Sequence, residues 1–205
     1  MDLVVCKDTL AVAQFADRWV ERMAKAEGAR SFYLPAGLTP EPLYKLWSEK
    51  RPAYLNQLRF LQIDDVLTGN NAWQFKGFFE THMAPWLSQF EWIGQGATQA
   101  DAAVLGLGTN GHVAFHEPGL PRHFFSGCVR LSEATEKRLA LSPGTWGVTY
   151  GLGAFLRAKA ILLIVTGAAK REIFAQFTQR RGDFPALALR DHPALTVVID
   201  QAVAD

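Results

Sequence analysis

Solid apolar runs alternate along this chain with segments in which apolar residues recur every three or four positions, and the alternation predicts strands and helices in turn. Leu3 to Cys6 is a short apolar run; beyond it Phe15, Ala16, Trp19, Val20 and Met23 put one apolar stripe on a helix, with Asp8 placed to cap its start. Ser31 to Leu34 reads as a buried strand ending in PAGLTP, and Glu41 to Ser48 as a helix with Pro40 near its first turn. Leu58 to Ile63 is a strand that stops abruptly at Asp64 and Asp65, and Trp73 to Leu87 is a helical region interrupted near Pro85. Ala102 to Leu107 is a continuous apolar strand that runs into glycines; Ala160 to Val165 is a strand, Ala168 to Thr178 a helix and Leu195 to Ile199 a last strand.

Strands buried as unbroken apolar runs between helices imply an α/β fold: one three-layer domain over residues 1–205, its mostly parallel, Rossmann-like sheet covered by helices on both faces. Residues 119–147, with Pro121, Gly127, Pro143 and Gly144, are the least regular part and are expected to carry a mobile lid. There is no internal repeat or low-complexity tract.

Composition narrows the function classes more than it identifies one. With 21 basic and 20 acidic residues and a net charge of +1, the 205-residue chain has no electrostatic footprint for nucleic acid or an anionic membrane, so an anionic ligand must be met by local groups. Cys6 and Cys128 show no metal-ligand spacing and are expected to be buried thiols in a reducing compartment. The N-terminus reads as neither a signal peptide nor an anchor, which makes the cytoplasm the default expectation.

Ligands of such folds bind beyond the carboxyl ends of the strands, and four places qualify. In PAGLTP, Gly37, Leu38 and Thr39 sit in a strand-to-helix turn where N–H groups and a hydroxyl can meet a phosphate; Thr39 is equally suited to cap the helix. Lys170, in TGAAK, follows a second such turn and can add a full positive charge. Asp64 and Asp65 point to opposite sides of their strand, so that one is available as a base and the other as a cap.

The fourth place is VLGLGTNGHVAFHEPG, Val104 to Gly119. Gly106, Gly108 and Gly111 spell G-x-G-x-x-G after a strand, but Pro118 and Gly119 interrupt any following helix, and a dinucleotide reading lacks its second acidic strand. Without a dinucleotide, the glycines let backbone approach a ligand and orient His112 and Glu117, a pair suited to proton transfer. His112, His116 and Glu117 do not fit a metal-binding H-E-x-x-H or its inverse.

Read together, PAGLTP, IDD, GLGTNGH and GAAK resemble, in order and along nearly the whole chain, the glucosamine-6-phosphate deaminase and 6-phosphogluconolactonase superfamily. GHVAFHEPG is similar to the deaminase branch rather than the lactonase branch, with Glu117 as the separating position; WGVTYGLGAFLRA and the HP of RDHPALTVVID share that likeness. The resemblance implies an amino-sugar phosphate deaminase or isomerase without metal or organic cofactor. His112, assisted by Glu117, would open the ring; Asp64 would move a proton between C2 and C1, and ammonia would leave.

Two departures bear on that expectation. The family's glucosamine enzymes carry Asp where this chain has Asn110, and an amide cannot raise the imidazole pKa as a carboxylate does, so His112 is expected to rely on Glu117. Members assigned to galactosamine 6-phosphate also carry Asn there, which leaves the epimer open. The chain is also short between Gly119 and Gly147, where the family keeps a lid and a phosphate-holding arginine; of Arg130 and Arg138, Arg138 is the candidate. The C-terminal extension used in some oligomers is missing, so a monomer or small homo-oligomer is expected. A 6-phosphogluconolactonase-like hydrolase and a non-catalytic sugar-phosphate sensor are the alternatives.

Overall fold

The computed structural model describes residues 1–205. The chain begins β1 (Asp2–Cys6), α1 (Thr9–Lys25), β2 (Ser31–Leu34), α2 (Glu41–Lys50), β3 (Arg59–Gln62), β4 (Asp64–Val66), α3 (Gln74–His82) and β5 (Phe90–Glu91). It continues with β6 (Ala102–Gly106), β7 (Ser126–Arg130), α4 (Glu133–Arg138), β8 (Trp146–Tyr150) and α5 (Leu152–Phe155). It ends with β9 (Ala160–Val165), α6 (Arg171–Gln179), β10 (Leu195–Asp200) and α7 (Gln201–Ala204). Seven strands pair in the order β1-β10-β9-β6-β2-β3-β5. Every pairing in that sheet is parallel.

The central strands are apolar throughout because both of their faces are covered. In β6, Val104 joins a core of 25 buried residues with α1, α2 and α3, whereas Ala103 and Leu105 join one of 28 with α5 and α6. Phe32 and Leu34 in β2 face the first core and Tyr33 the second. On α1 the predicted stripe of Ala16, Trp19, Val20 and Met23 is buried, and the Asp8 carboxylate accepts from Ala11 N at 2.8 Å as the expected cap. This is the expected α/β sandwich of a parallel sheet between two helical layers.

Three local expectations need correction. β1 is an edge strand, and its Leu3 and Val5 are exposed rather than buried. Cys6 is half-buried and Cys128 exposed, since both lie on strands with an open side. The helix expected from Trp73 to Leu87 is confined to α3 and passes into a 3-10 segment at Ala84–Gln89, and residues 119–147 are more regular than expected, holding β7, α4 and the start of β8.

The largest departure is a second, antiparallel sheet, β4-β8-β7. Ile63 is its hinge: its N–H donates to Leu34 O at 3.2 Å, and its carbonyl accepts from Tyr150 N at 2.8 Å. The chain therefore swings from the parallel sheet onto β8 one residue before the acidic pair. Asp65 turns inward and accepts from Val66 N, Phe75 N and Lys76 N at 2.8, 3.0 and 2.8 Å and from Gln62 Nε2 at 2.7 Å. It is the cap of α3, and it leaves its neighbour to the other face. Asp65→Ala would orphan several buried donors and is expected to cost about 2–4 kcal/mol in denaturant unfolding, with Asp65→Asn recovering only part.

Candidate active site

A cavity of about 460 Å³ lies at the carboxyl ends of β2, β3, β6 and β9. Of the residues nominated from sequence, Gly37, Leu38, Thr39, Asp64, His112, Arg138 and Lys170 line it. Asn110 and Glu117 do not line it. Arg130, the other lid arginine, is an exposed residue on β7.

The PAGLTP turn leaves its polar groups free. α2 starts after Pro40 with no side-chain cap, so Thr39 does not spend its hydroxyl there. Leu38 is 86% exposed, which leaves its backbone N–H as the only group it can offer a ligand. At the far side the Gly167 N–H is held by both Asp200 oxygens at 3.1 and 3.0 Å, which ties the turn bearing Lys170 to the end of β10. Asp200 also caps α7 through Val203 N at 3.1 Å, so one carboxylate fixes two strand ends.

His112 rests face-on against Gly108, where a Cβ would overlap the imidazole; this close approach is what the second glycine of the G-x-G-x-x-G provides. The Oδ1 of Asn110 accepts from the Nδ1 of His112 and from its backbone N at 3.3 Å. An amide oxygen only accepts, so the proton sits on Nδ1 and Nε2 carries the free lone pair. Burial, with the cations Arg138 and Lys170 nearby, lowers the imidazole pKa from 6.5 to about 3. In this site His112 is therefore held neutral, with Nε2 able to accept a proton.

Glu117 is not where it was expected. A left-handed Ala114 (φ 53°) closes a tight turn in which His116 N donates to Val113 O at 3.0 Å, and Glu117 N then bonds Phe115 O at 2.8 Å. This double turn carries the carboxylate to the start of α4, where Oε1 accepts from Thr135 Oγ1 and from Ser132 N at 3.5 Å. The partner that orients His112 is Asn110, not Glu117. The turn is held from β8, by Phe115 N on Thr149 Oγ1 at 3.2 Å, and from α5, by Leu152 N on His116 Nδ1 at 3.2 Å.

Burial, with Asp65 adding repulsion, raises the Asp64 carboxyl from 3.8 to about 8 against the pull of Arg138. Lys170 is lowered from 10.5 to about 8 by burial and by Arg138. Arg138, which acts electrostatically on both, lies on α4, a six-residue helix that the apolar pattern does not reveal. Sequence reasoning also missed the apolar wall of Phe75, Ala114, Phe115 and Leu139, since nothing separates such residues from ordinary core until the turn at Ala114 is known. No three His, Cys, Asp or Glu side chains converge on a metal position, and no helix is long and apolar enough to cross a membrane.

Residues 78–198 match the family described as glucosamine-6-phosphate isomerases/6-phosphogluconolactonase. The chain belongs to this family. A glucosamine-6-phosphate deaminase of Leuconostoc citreum is 30% identical over 221 residues, an alignment covering 94% of this chain and 93% of that protein. Among solved members with the same fold, a monomeric glucosamine-6-phosphate deaminase superimposes with a TM-score of 0.81 at 24% identity, over 100% of this chain and 99% of that one. The 6-phosphogluconolactonase of Trypanosoma brucei gives 0.80 at 16% identity, over 99% and 97%. Structures bearing both names thus share the fold of this chain.

Asp64 yields a pH test that needs no substrate. Its folded pKa lies above its unfolded one, so the native state keeps a proton that the unfolded chain has released; the associated stability is complete below about pH 4 and lost as pH rises through about 8. Asp64→Asn removes this titration. In thermal unfolding, its Tm advantage over the parent should grow from about pH 5 to about pH 8 and level off above.

Proposed function

We propose that the protein converts an amino-sugar 6-phosphate, glucosamine 6-phosphate or its galactosamine epimer, to the ketose 6-phosphate and ammonia by acid and base catalysis. The observation that carries this reading is the charge arrangement of one cavity: Asp64 and His112 beside Arg138 and Lys170, with the PAGLTP turn at the same mouth.

The empty cavity suits a ligand with charges of both signs. A phosphate dianion complements Lys170, Arg138 and the Gly37–Thr39 turn; by neutralising the two cations it removes part of what depresses the His112 pKa. A substrate ammonium near Asp64 favours its ionised form, the form that abstracts a proton. A lactone supplies the phosphate but no ammonium, and this separates the deaminase reading from the lactonase one.

The steps follow from the protonation states. Nε2 of His112 takes the anomeric hydroxyl proton and returns it to the ring oxygen, opening the sugar to its aldehyde form. Asp64 takes the proton from C2 while the substrate ammonium gives one of its own to the C1 oxygen, forming a neutral enolamine; Asp64 then delivers its proton to C1, leaving a protonated carbon–nitrogen double bond at C2. Water adds there and ammonia leaves, so one water is consumed and one ammonia released per ketose formed. Asn110 holds a proton on Nδ1 throughout, so that Nε2 is the nitrogen that takes a proton and gives it back.

Ammonia release from both hexosamine 6-phosphates, run beside hydrolysis of 6-phosphogluconolactone, tests the reading. The expected outcome is ammonia from at least one epimer, a fall in kcat of about 10²–10⁴-fold in His112→Gln, and a KM raised about tenfold or more in Lys170→Ala. No release from either sugar at high enzyme concentration would sink it. Lactone hydrolysis that survives Glu117→Ala would move the assignment to the lactonase branch, and saturable sugar-phosphate binding without turnover would make the protein a sensor.

A further inference from the structure

Glu117 and Arg138 reach their places through the same six-residue helix. The Oγ of Ser132 caps α4 by accepting from Thr135 N at 3.3 Å, and donates to Thr135 Oγ1 at 3.3 Å. Thr135 Oγ1 in turn donates its single proton to Glu117 Oε1, where Ser132 N also converges. Thr135 is 1% exposed and Glu117 6%, so this relay is sealed from solvent. Both donors engage one oxygen, and Glu117 Oε2 remains buried with no partner in the protein. An unpartnered buried carboxylate oxygen is costly, and a carboxylate clamped by one oxygen has little freedom to turn the other away. Three residues further along α4, Arg138 lines the cavity.

We propose that Thr135 is a positioning residue for the deamination reaction: its hydroxyl fixes the rotation of the Glu117 carboxylate, so that docking of α4 delivers Arg138 and an oriented Glu117 together. The inference rests on the proposed function and on the part in proton transfer that the family resemblance implies for Glu117, which here acts on the cavity through Arg138 rather than by touching His112. It assigns to α4 more than a cover for the cavity. With Oε1 held by Thr135, the Glu117 charge acts on Arg138, whose side chain lines the cavity.

The test uses the full chain and two substitutions at one site. Thr135→Val keeps the volume and loses the hydroxyl; Thr135→Ser keeps the hydroxyl and loses a methyl. We expect Thr135→Val to lower kcat for ammonia release at least tenfold and to alter the pH profile of kcat. Inhibition by inorganic phosphate, which reads the cavity cations, should stay within about threefold, and Thr135→Ser should restore kcat to within about threefold of the parent. In a Glu117→Gln background, Thr135→Val should cost nothing further.

An unchanged kcat in Thr135→Val would overturn the inference. Equal losses in the Val and Ser variants would also overturn it, as would phosphate inhibition that weakens in step with kcat. If the parent releases no ammonia from either sugar, the functional reading has failed separately, and thermal unfolding of the same variants decides the coupling. Non-additive Tm losses for Thr135→Val and Glu117→Gln support the clamp, and additive losses overturn it.

Discussion

The structure turns on placing a carboxyl group and an imidazole inside the protein beside two cations that they do not fully satisfy. Burial alone would keep Asp64 protonated and His112 neutral, and the neighbouring charges decide how far each departs from its ordinary pKa. Arg138 pulls Asp64 toward its ionised form and pushes His112 away from its own, so a single guanidinium acts in opposite senses on the two proton-transfer groups. The set is balanced only when an anion meets the cations and a cation meets Asp64. Electrostatic incompleteness of this kind is how a buried site selects a doubly charged ligand without being shaped around every atom of it.

The fold supplies this arrangement through a change of sheet. A strand that continued straight would leave Asp64 and Asp65 at a solvent-facing edge, where neither carboxyl group would be shifted. Because Ile63 bonds to β2 on one side and β8 on the other, the chain enters a second sheet, and period-two alternation then sends one carboxyl to the cavity and the other to the start of α3. Asp65 is paired by four donors and Asp64 by none, so adjacent identical residues serve opposite ends. Stability is placed at one and withheld at the other.

Much of this was legible in the chain. The apolar runs at Ser31–Leu34, Ala102–Leu107 and Ala160–Val165 fall on central parallel strands, and the division of labour between Asp64 and Asp65 follows from alternation alone. Arg138, named over Arg130 although neither matches the family pattern cleanly, lines the cavity. The missed features depend on contacts distant in sequence. SGCVR and WGVTY carry no uniform apolar face, because β7 and β8 belong to a short sheet packed on one side by the turn at Val113–Glu117. Gly147 and Gly151 are small there because a Cβ would strike Phe115 and the His116 ring, a reason visible only once the turn is in place. The pairing expected between His112 and Glu117 failed for a local reason, the left-handed backbone at Ala114, which sequence spacing does not encode.

Asn110 looks different in this light. Judged from sequence, an amide in place of a carboxylate is a weakening, since it cannot stabilise an imidazolium. Beside Arg138 and Lys170, however, the empty site disfavours an imidazolium in any case, and the need is for the right neutral tautomer. The amide oxygen meets that need at lower electrostatic cost than a second buried carboxylate, which would have to be desolvated alongside Asp64. A carboxylate at this position would raise the imidazole pKa, making the ring a stronger base but one more often already protonated; the amide keeps the ring neutral and makes any imidazolium formed there the stronger acid. On the proposed reading, Asn110 therefore tunes the first proton transfer rather than abolishing it.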